Sequence, residues 1–285
     1  MSKLKIAIQK SGRLSEKSIA LLEECGLKFP NGGGKLITES SNFPVEILFL
    51  RDDDIPQYVE QNVAHIGIIG ENVFLESEKE ISVIEKLGFS ACRLSLAVPK
   101  ETDYEGLSFF NNRKVATSYP NILENYFREN GISATIEVIS GSVEIAPGIG
   151  LADGICDIVS SGSTLLSNGL KEVGTVLKSQ AVLVANQDLD PEVQQILNKL
   201  LFRIRSVQKA TENKYILLNS PNDQLEKIIR ILPGMNSPTI LPLAKEGWSS
   251  VHSVIGEDKF WDLIDELKEA GAEGILVVPI EKMIL

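Results

Sequence analysis

The chain has 285 residues, 28 of them basic and 39 acidic, which gives a net charge of −11, and 43% of its residues are hydrophobic. This composition is typical of a soluble globular protein of about two domains, and the acidic excess argues against a nucleic-acid or anionic-membrane partner. No apolar run approaches the roughly 18 residues of a membrane span, and three widely spaced cysteines, Cys25, Cys92 and Cys156, predict no disulfide framework or zinc site but a reduced, cytoplasmic location.

The first part of the chain alternates between short strands and helices. In chain order we predict a strand at residues 5–9, a helix at 14–25, a strand at 45–50, a helix at 52–60, and strands at 65–69 and 94–98. A second block continues with a strand at 114–117, a helix at 120–128, a strand at 134–139, a short helix capped by Ser142, a strand at 157–160 and a helix from Gly162. This alternation predicts α/β layers with mainly parallel sheets.

The last part of the chain has a different order. A strand at 181–185 leads into a long helix that begins at Asp190-Pro191 and carries one apolar stripe as far as Val207. Beyond it, strands at 214–218, 239–241, 249–255 and 274–279 and helices at 224–231 and 259–270 follow as β-α-β-β-α-β. That order predicts a ferredoxin-like domain.

The strongest chemical signal lies between Asp153 and Thr164, where a strand is followed by the turn Ser-Gly-Ser-Thr. Unpaired backbone N–H groups at such a turn, with three hydroxyls beside them, suit a phosphate monoester. Asp157 lies one turn away, where its carboxylate can accept hydrogen bonds from the vicinal hydroxyls of a sugar. This pairing is typical of phosphoribosyl recognition. A Ser-Thr turn is also an ordinary helix N-cap, so the turn alone leaves both interpretations open.

The longer run EIAPGIGLADGICDIVSSGSTL, from Glu144 to Leu165, resembles the signature of the ATP phosphoribosyltransferase family, which performs the first step of histidine biosynthesis. Other segments look like the same family: QKSGRL at 9–14, RDDDIP at 51–56, GIIGEN at 67–72, CRLSLA at 92–97, ATSYP at 116–120, SPT at 237–239 and ILVVPIEKM at 275–283. The resemblance extends along the chain and is to the long form of the enzyme, which carries its own regulatory domain.

The resemblance implies an α/β fold with a bilobal, periplasmic-binding-protein-like catalytic core and a C-terminal ferredoxin-like (βαββαβ) regulatory domain. It places the first lobe at residues 1–98 and 179–211, the second at 99–178 and the regulatory domain at 212–285. The implied reaction transfers the phosphoribosyl group of 5-phosphoribosyl 1-pyrophosphate to N1 of ATP and releases pyrophosphate, with Mg²⁺ on the pyrophosphate neutralising charge. N1 of neutral adenine already has a lone pair, so no general base is needed and His65 and His252 are interpreted as structural.

For phosphoribosyl pyrophosphate the resemblance implies a 5′-phosphate loop and a ribose-binding acid. The loop comprises Ser160, Ser161, Gly162, Ser163 and Thr164, and Asp157 holds the ribose hydroxyls. Asp153 and Glu144 are further candidates. Either one helps to hold Mg²⁺ or the ribose, or is an ordinary solvated carboxylate.

For ATP the resemblance implies a site built from segments that follow predicted strands. Lys10 and Arg13 would bind pyrophosphate or triphosphate and, with Asp157, are the catalytic candidates, although surface charge is the alternative. Asp52 would accept a hydrogen bond from the adenine amine, or else complement the dipole of the helix that it begins. Tyr119 would stack on adenine, or else simply end a half-buried strand. The other nucleotide-binding candidates are Ser11, Gly12, Gly70, Glu71, Asn72 and Arg93.

In the family, histidine is a feedback inhibitor that sits between regulatory domains of neighbouring subunits, and homodimers assemble into a homohexamer. The positions that carry over are Asn219, Ser237, Thr239 and Gly274, where Asn219 offers an amide instead of a carboxylate to the effector's ammonium. From the residues alone, this domain indicates only a dimerisation module.

Two other classes of protein fit the sequence less well. A bilobal solute-binding or sensor protein shares the core fold but does not explain the Asp157-to-Thr164 constellation or the regulatory-type domain. A dinucleotide oxidoreductase would need GxGxxG after the first strand, where Lys10-Ser11-Gly12-Arg13 stands instead.

Overall fold

The computed structural model describes residues 2–30, 35–235 and 237–284. The chain forms two compact units. The first runs to Ala20 and resumes at Leu27–Leu197, and the second comprises Leu21–Gly26 and the chain from Asn198 onward. No helix in these described ranges is long and apolar enough to cross a membrane.

The strands and helices are numbered in chain order. The strands are β1 (Leu4–Gln9), β2 (Ile37–Glu39), β3 (Val45–Leu50), β4 (Ile66–Gly70), β5 (Ile81–Lys86), β6 (Cys92–Pro99), β7 (Lys114–Thr117), β8 (Thr135–Val138), β9 (Gly154–Val159), β10 (Leu170–Ser179), β11 (Ala181–Asn186), β12 (Asn213–Pro221), β13 (Thr239–Pro242), β14 (Trp248–Gly256) and β15 (Glu273–Pro279). The helices are α1 (Arg13–Glu24), α2 (Ile55–Glu60), α3 (Glu71–Ser77), α4 (Pro120–Glu129), α5 (Ser163–Ser167), α6 (Pro191–Thr211), α7 (Leu225–Ile231) and α8 (Phe260–Glu269).

Two mixed sheets form the first unit. One has the strand order β2-β3-β1-β4-β11-β5, and the other has the order β10-β6-β9-β7-β8. We call the six-stranded sheet with α2 and α3 the first lobe, and the five-stranded sheet with α4 and α5 the second lobe. The chain crosses to the second lobe between β5 and β6 and returns between β10 and β11. The bilobal α/β core that the family resemblance implies is therefore confirmed.

The prediction of mainly parallel sheets is wrong. β1 is parallel to β3 and β4, and β7 to β8 and β9, whereas β2, β6, β10 and β11 run antiparallel to their neighbours. Alternation of strands and helices predicts parallel pairs only while the chain stays in one sheet, because a parallel neighbour requires a crossover connection. Here the chain changes sheets twice. The strand that enters the second sheet, β6, runs antiparallel to β9, and the strand that returns to the first sheet, β11, runs antiparallel to β4.

The sheet membership of β6 bears on the lobe boundaries. β6 lies in the five-stranded sheet, whereas a boundary at residue 98 would place it in the first lobe. The segments that pass between the sheets are residues 87–91 and Gln180. β2, β5 and β10, which the sequence did not predict, fill the edges of the two sheets.

The arrangement of parallel strands gathers the predicted site segments. Because β1, β3 and β4 are parallel, the residues that follow them lie together at the end of the first sheet where the carboxyl termini of these strands meet. Ser118 and Ser160 follow the parallel strands β7 and β9, so they lie together at the corresponding carboxyl end of the second sheet. Helix α2 packs Ile55 and Val59 against the first sheet, and α4 packs Leu123 and Phe127 against the second.

The second unit contains an antiparallel sheet of order β13-β14-β12-β15 together with α7 and α8. Ile216 and Val251 of the sheet pack with Ile228 of α7 and Leu267 of α8 in one core cluster. The order of strands and helices confirms the predicted ferredoxin-like domain.

Two local predictions need correction. Ser142 does not cap a helix. Its backbone has a φ of +51°, its side chain makes no capping hydrogen bond, and only a 3-10 turn, Val143–Ile145, follows it. The strand predicted at residues 157–160 is Gly154–Val159, so Asp157 lies within the strand and Ser160 is the first residue of the loop.

Candidate active site

The predicted phosphate loop connects β9 to α5. Gly162 has a φ of +82°, a left-handed conformation that favours glycine. The Ser161 hydroxyl lies 3.0 Å from the Ser163 hydroxyl and accepts a hydrogen bond from the Ser163 N–H at 3.4 Å. Helix α5 has only five residues, so an anion at this loop would be held by local N–H and hydroxyl groups rather than by a long helix dipole.

Arg93 supports this loop from the neighbouring strand β6. Its Nη1 donates to the Ser160 carbonyl at 3.1 Å, while Nε and Nη2 each donate to the Glu172 carboxylate at 2.6 Å. Ser95 also donates to Glu172, at 2.8 Å. The hydrogen bonds from Arg93 hold the pKa of Glu172 below its ordinary value. The charge of Arg93 is therefore compensated within the chain, and its contact is with the loop backbone.

Asp157 is half-buried in the middle of β9. Burial raises the pKa of its carboxyl group, the hydrogen bond from the Ile158 N–H at 2.8 Å opposes the rise, and the Glu144 carboxylate adds to it. Asp157 and Glu144 are thus electrostatic neighbours. Asp153 precedes the other end of this six-residue strand, about 20 Å from the loop, and accepts a hydrogen bond from the Lys114 N–H at 2.8 Å. The structure therefore separates Asp153 from the loop.

A cavity of about 350 Å³ brings predicted residues of both lobes together. The predicted residues that line it are Arg13, Asp52, Gly70, Asn72, Tyr119 and Ser160. Sequence reasoning missed three polar residues that also line it, Gln9, Lys17 and Ser90. Gln9 ends β1 and precedes the predicted turn, a position that could have identified it.

Asp52 is the most unusual group in this cavity. It begins the 3-10 turn Asp52–Asp54, and its Oδ1 is buried without a hydrogen-bond partner in the described part of the chain. Burial raises the pKa of Asp52 to about 6, and the neighbouring Asp53 carboxylate adds to the rise. An ionised carboxylate in this position requires a hydrogen-bond donor, from a water or from a ligand in the cavity, to satisfy it.

Tyr119 and Asn72 join the two lobes at this cavity. The Asn72 side-chain amide donates to the Tyr119 hydroxyl at 3.2 Å, and its Oδ1 accepts from the Ser179 hydroxyl at 2.8 Å. Burial, and secondarily the Asp157 carboxylate, raises the pKa of Tyr119, so its hydroxyl stays protonated at neutral pH. A Cβ at Gly70 would collide with Asn72 Oδ1, so glycine at residue 70 makes room for this amide.

The other predicted nucleotide residues lie nearby. Lys10, Ser11 and Gly12 form the exposed turn between β1 and α1, and Gly12 has a φ of +95°. Glu71 forms an ion pair with Lys86 at 3.0 Å. Over residues 2–30, 35–235 and 237–284, no group of three or more His, Cys, Asp or Glu residues could hold a metal ion.

The predicted effector residues lie in the second unit. A Cβ at Gly274, whose φ is +59°, would lie 3.2 Å from the Asn219 side-chain nitrogen, so these two residues are adjacent. Thr239 pairs with His252 of β14. It is two strands away from β12, about 10 Å in the sheet. Ser237 is exposed just before β13.

Comparison with known proteins places both units. The family model described as ATP phosphoribosyltransferase matches residues 51–206, and the model described as HisG, C-terminal domain matches residues 210–282. An ATP phosphoribosyltransferase of Phocaeicola vulgatus is 59% identical over 282 residues, 99% of this chain and 100% of that protein, and one of Azobacteroides pseudotrichonymphae is 60% identical over the same shares. The solved ATP phosphoribosyl transferase (HisG:HisZ) complex from Thermotoga maritima has 29% identity and a TM-score of 0.61, covering 71% of this chain and 96% of that one.

Proposed function

Because this chain belongs to the ATP phosphoribosyltransferase family, in the long form with its own C-terminal domain, we propose that the cavity between its two lobes is where the phosphoribosyl group is transferred. The enzyme joins N1 of ATP to C1′ of 5-phosphoribosyl 1-pyrophosphate and releases pyrophosphate, the first step of histidine biosynthesis. The resemblance stated from the sequence is confirmed.

The second lobe holds the phosphoribosyl donor. Ser161, Gly162, Ser163 and Thr164 surround the 5′-phosphate, and the Arg93 contact to the Ser160 carbonyl keeps the loop in place. Asp157 accepts the ribose hydroxyls. Its raised pKa, caused mainly by burial, supports this role, because a desolvated carboxylate gains most from donors that a ligand supplies. The position of Asp153 weakens its candidacy, so Glu144 is the better second carboxylate.

ATP is held by residues of the first lobe together with Tyr119 of the second. The unpartnered Oδ1 of Asp52 supports an interaction with the adenine amine, a donor of the kind that this oxygen lacks. Tyr119, fixed through its hydroxyl by Asn72, places its ring against adenine. Arg13 lines the same cavity, and Arg13 and Lys10 neutralise the phosphate charge that an acidic chain must otherwise repel.

The residues catalyse by position and electrostatics. The displacement at C1′ passes through an oxocarbenium-like centre, so the barrier is mainly charge separation. Holding N1 of adenine about 3 Å from C1′ converts the encounter into an intramolecular step. Asp157 orients the ribose, and Lys10 and Arg13 stabilise the leaving pyrophosphate. No proton has to be removed from N1.

Members of this family use a metal ion. We propose that the ion is Mg²⁺, held mainly by the substrate's pyrophosphate, and that Glu144, the electrostatic neighbour of Asp157, is the protein carboxylate that would help to hold it. The lack of a three-residue acidic or histidine cluster in the described ranges fits an ion that arrives on a phosphate substrate, which is common for Mg²⁺. The ion would supply charge neutralisation on the leaving group.

The C-terminal domain is proposed to bind histidine as a feedback inhibitor through Asn219, Gly274, Ser237 and Thr239. The two pairs lie about two strands apart, a span that suits an amino acid lying across the sheet. The Thermotoga relative is solved in complex with HisZ. A chain with its own C-terminal domain is proposed to assemble with itself, as a homodimer and homohexamer. Free thiols at Cys25, Cys92 and Cys156 support a cytoplasmic location.

The unsatisfied Asp52 carboxylate in a cavity shared by both lobes is the observation that carries the site assignment. A spectrophotometric assay for phosphoribosyl-ATP, run with and without Mg²⁺ and histidine, tests the proposal. We expect Mg²⁺-dependent product formation that histidine suppresses. Binding of ATP or phosphoribosyl pyrophosphate without product would instead indicate a non-catalytic binding protein.

A further inference from the structure

The first turn of α4, in the second lobe, is capped by a side chain of the first lobe. Glu76, on α3, accepts hydrogen bonds from the backbone N–H of Asn121 at 2.9 Å and of Ile122 at 3.0 Å, one on each carboxylate oxygen. The Asn121 side-chain amide donates in return to the Glu76 carbonyl at 2.9 Å. Three hydrogen bonds therefore join the two lobes at one helix end.

This cap is unusual because the hydrogen-bond acceptor comes from another helix and not from the N-cap residue of α4. Tyr119 occupies the N-cap position of α4 and makes no side-chain capping hydrogen bond, whereas a Ser, Thr, Asp or Asn there would satisfy the same amides locally. Burial raises the pKa of Glu76, and the two backbone hydrogen bonds oppose that rise. The chain thus keeps a partly desolvated carboxylate at this helix end, where it also fixes α4 against α3.

Tyr119 lies immediately before this capped turn and is held at both ends. Its backbone leads into the turn that Glu76 holds, and its hydroxyl accepts the Asn72 amide at 3.2 Å. Asn72 is itself fixed by Ser179, whose hydroxyl accepts the Asn72 N–H at 3.1 Å and donates to Asn72 Oδ1 at 2.8 Å. The orientation of the Tyr119 ring is therefore set from the first lobe, by Glu76 and by Asn72.

We propose that Glu76 is a positioning residue of the nucleotide site, which holds the first turn of α4 across the two lobes so that the Tyr119 ring faces the adenine of ATP. The inference rests on the proposed function through the contact of Tyr119 with adenine. Glu76 itself touches no substrate in this assignment, and it acts through the backbone of Asn121 and Ile122.

The test compares steady-state constants of the full chain and of the variant E76Q. Glutamine is isosteric but keeps one acceptor oxygen and turns its NH₂ group toward a backbone N–H. We expect the KM for ATP to rise about tenfold, as for the loss of one hydrogen bond to a charged group, while the KM for phosphoribosyl pyrophosphate changes less than about twofold. The matched control is E124Q, which removes an exposed carboxylate of α4 beyond the first turn.

A second background separates positioning from a general loss of structure. In Y119A, the further change E76Q is expected to raise the KM for ATP less than about twofold, because residues that act through one another are not additive. A full tenfold effect in that background overturns the proposal, as does an equal rise of both KM values in E76Q.

If E76Q does not unfold cooperatively, E76D takes its place, because it keeps the charge but withdraws the carboxylate from the N–H groups of Asn121 and Ile122. A rise of several-fold in the KM for ATP alone supports the role of Glu76, and an unchanged KM overturns it. Product formation by the unaltered chain distinguishes failure of the proposed function from failure of the proposed role of Glu76. No phosphoribosyl-ATP refutes the proposed function, whereas product with the same constants in E76Q and E124Q refutes only the role of Glu76.

Discussion

At the scale of single residues, Asp52 lowers the stability of the folded chain. Its carboxyl has a pKa of about 6, against an ordinary value of 3.8, chiefly because it is buried. The folded state therefore disfavours the ionised form, and this destabilisation grows as pH rises from about 4 through 6 and is complete above that range. A carboxylate kept at such a cost is typical of a binding site.

Replacing Asp52 by asparagine is expected to make the free protein more stable and the enzyme worse. At pH 7.5, the free energy of unfolding of D52N should exceed that of the unaltered chain by about 1–2 kcal/mol. A two-unit pKa shift corresponds to roughly 3 kcal/mol, but partial solvent exposure screens the charge and reduces the effect. The gain should vanish near pH 4, where the native carboxyl is protonated. The KM for ATP should rise about tenfold or more. Denaturant unfolding at both pH values and steady-state kinetics measure these effects, and an unchanged KM would contradict the adenine assignment.

Gly162 tests the phosphate loop by its backbone alone. A Cβ there would meet only Val159 Cγ1, at 3.9 Å, so space is available and the strain of a φ of +82° is the main penalty. G162A should lose about 1–2 kcal/mol of stability and raise the KM for phosphoribosyl pyrophosphate at least several-fold, because relief of the strain moves the loop N–H groups.

The matched control for this loop is G169A, since Gly169 has a φ of +71°, open space around it, and a position after α5 outside the loop. It should lose a similar amount of stability without a change in the KM for phosphoribosyl pyrophosphate. Equal kinetic effects of G162A and G169A would show that the loop geometry does not matter for the donor.

The sequence predicted residues that follow strands, but not the partners that fix them. Asn72 was predicted because it comes just after a buried strand. Its orientation depends on Ser179, which is 107 residues away along the chain, and no local pattern reports such a pair. The same holds for Glu76, which caps a helix that begins 44 residues later. Local rules identify turn glycines and loop hydroxyls, whereas contacts across lobes require the three-dimensional fold.

At the scale of elements, β10 supplies the partner of Arg93 that the sequence did not reveal. The sequence did not predict β10, because Gly174 and two register shifts interrupt its apolar alternation. Without β10, Glu172 has no predicted place, and Arg93 was predicted as an ATP contact without a partner in the chain being identified. In the structure, β10 pairs with β6, and the Glu172 side chain forms an ion pair with Arg93 at 2.6 Å, although the residue opposite Glu172 in the pairing is Ala97. The electrostatic partner of Arg93 therefore depends on the presence of β10, which the sequence around Arg93 does not reveal.

Breaking this ion pair should affect the donor more than ATP. In E172Q the guanidinium of Arg93 loses its charged partner, so its hold on the Ser160 carbonyl should loosen and the KM for phosphoribosyl pyrophosphate should rise about three- to tenfold. Both side chains are about one-third exposed, so solvent screens the pair and the loss of stability should be small. The control is E137Q, which breaks the cross-strand pair of Glu137 with Lys114. A KM for the donor as low in E172Q as in E137Q would exclude Arg93 as a support of the loop.

At the scale of the whole molecule, the order of strands and helices sufficed to predict α/β layers and a ferredoxin-like domain, whereas the division of the core into two lobes was implied by the family resemblance. Nearly continuous apolar strands such as β4 and β11 indicate sheets covered on both faces. Strand direction was beyond reach, because it depends on which sheet the chain enters after residues 87–91 and after Gln180. Where the chain changes sheets, neighbouring strands in sequence cease to be neighbours in space.

The C-terminal domain offers the last test, because its proposed effector site has an amide, Asn219, as the partner of the effector's ammonium. An amide can accept a hydrogen bond from the ammonium of histidine but lacks the charge of a carboxylate, so binding depends on geometry that Gly274 permits by leaving Asn219 its space. N219A should therefore raise the histidine concentration for half-inhibition at least about tenfold, the loss of one hydrogen bond to a charged group, with uninhibited kcat and KM unchanged. N222A, which removes an amide that accepts Ser249 at 2.7 Å in the same domain, controls for general damage. The phosphoribosyl-ATP assay at graded histidine concentrations distinguishes the outcomes: equal inhibition of N219A and the unaltered chain would place the effector elsewhere, and N219D, by restoring the carboxylate, should instead lower the half-inhibiting concentration.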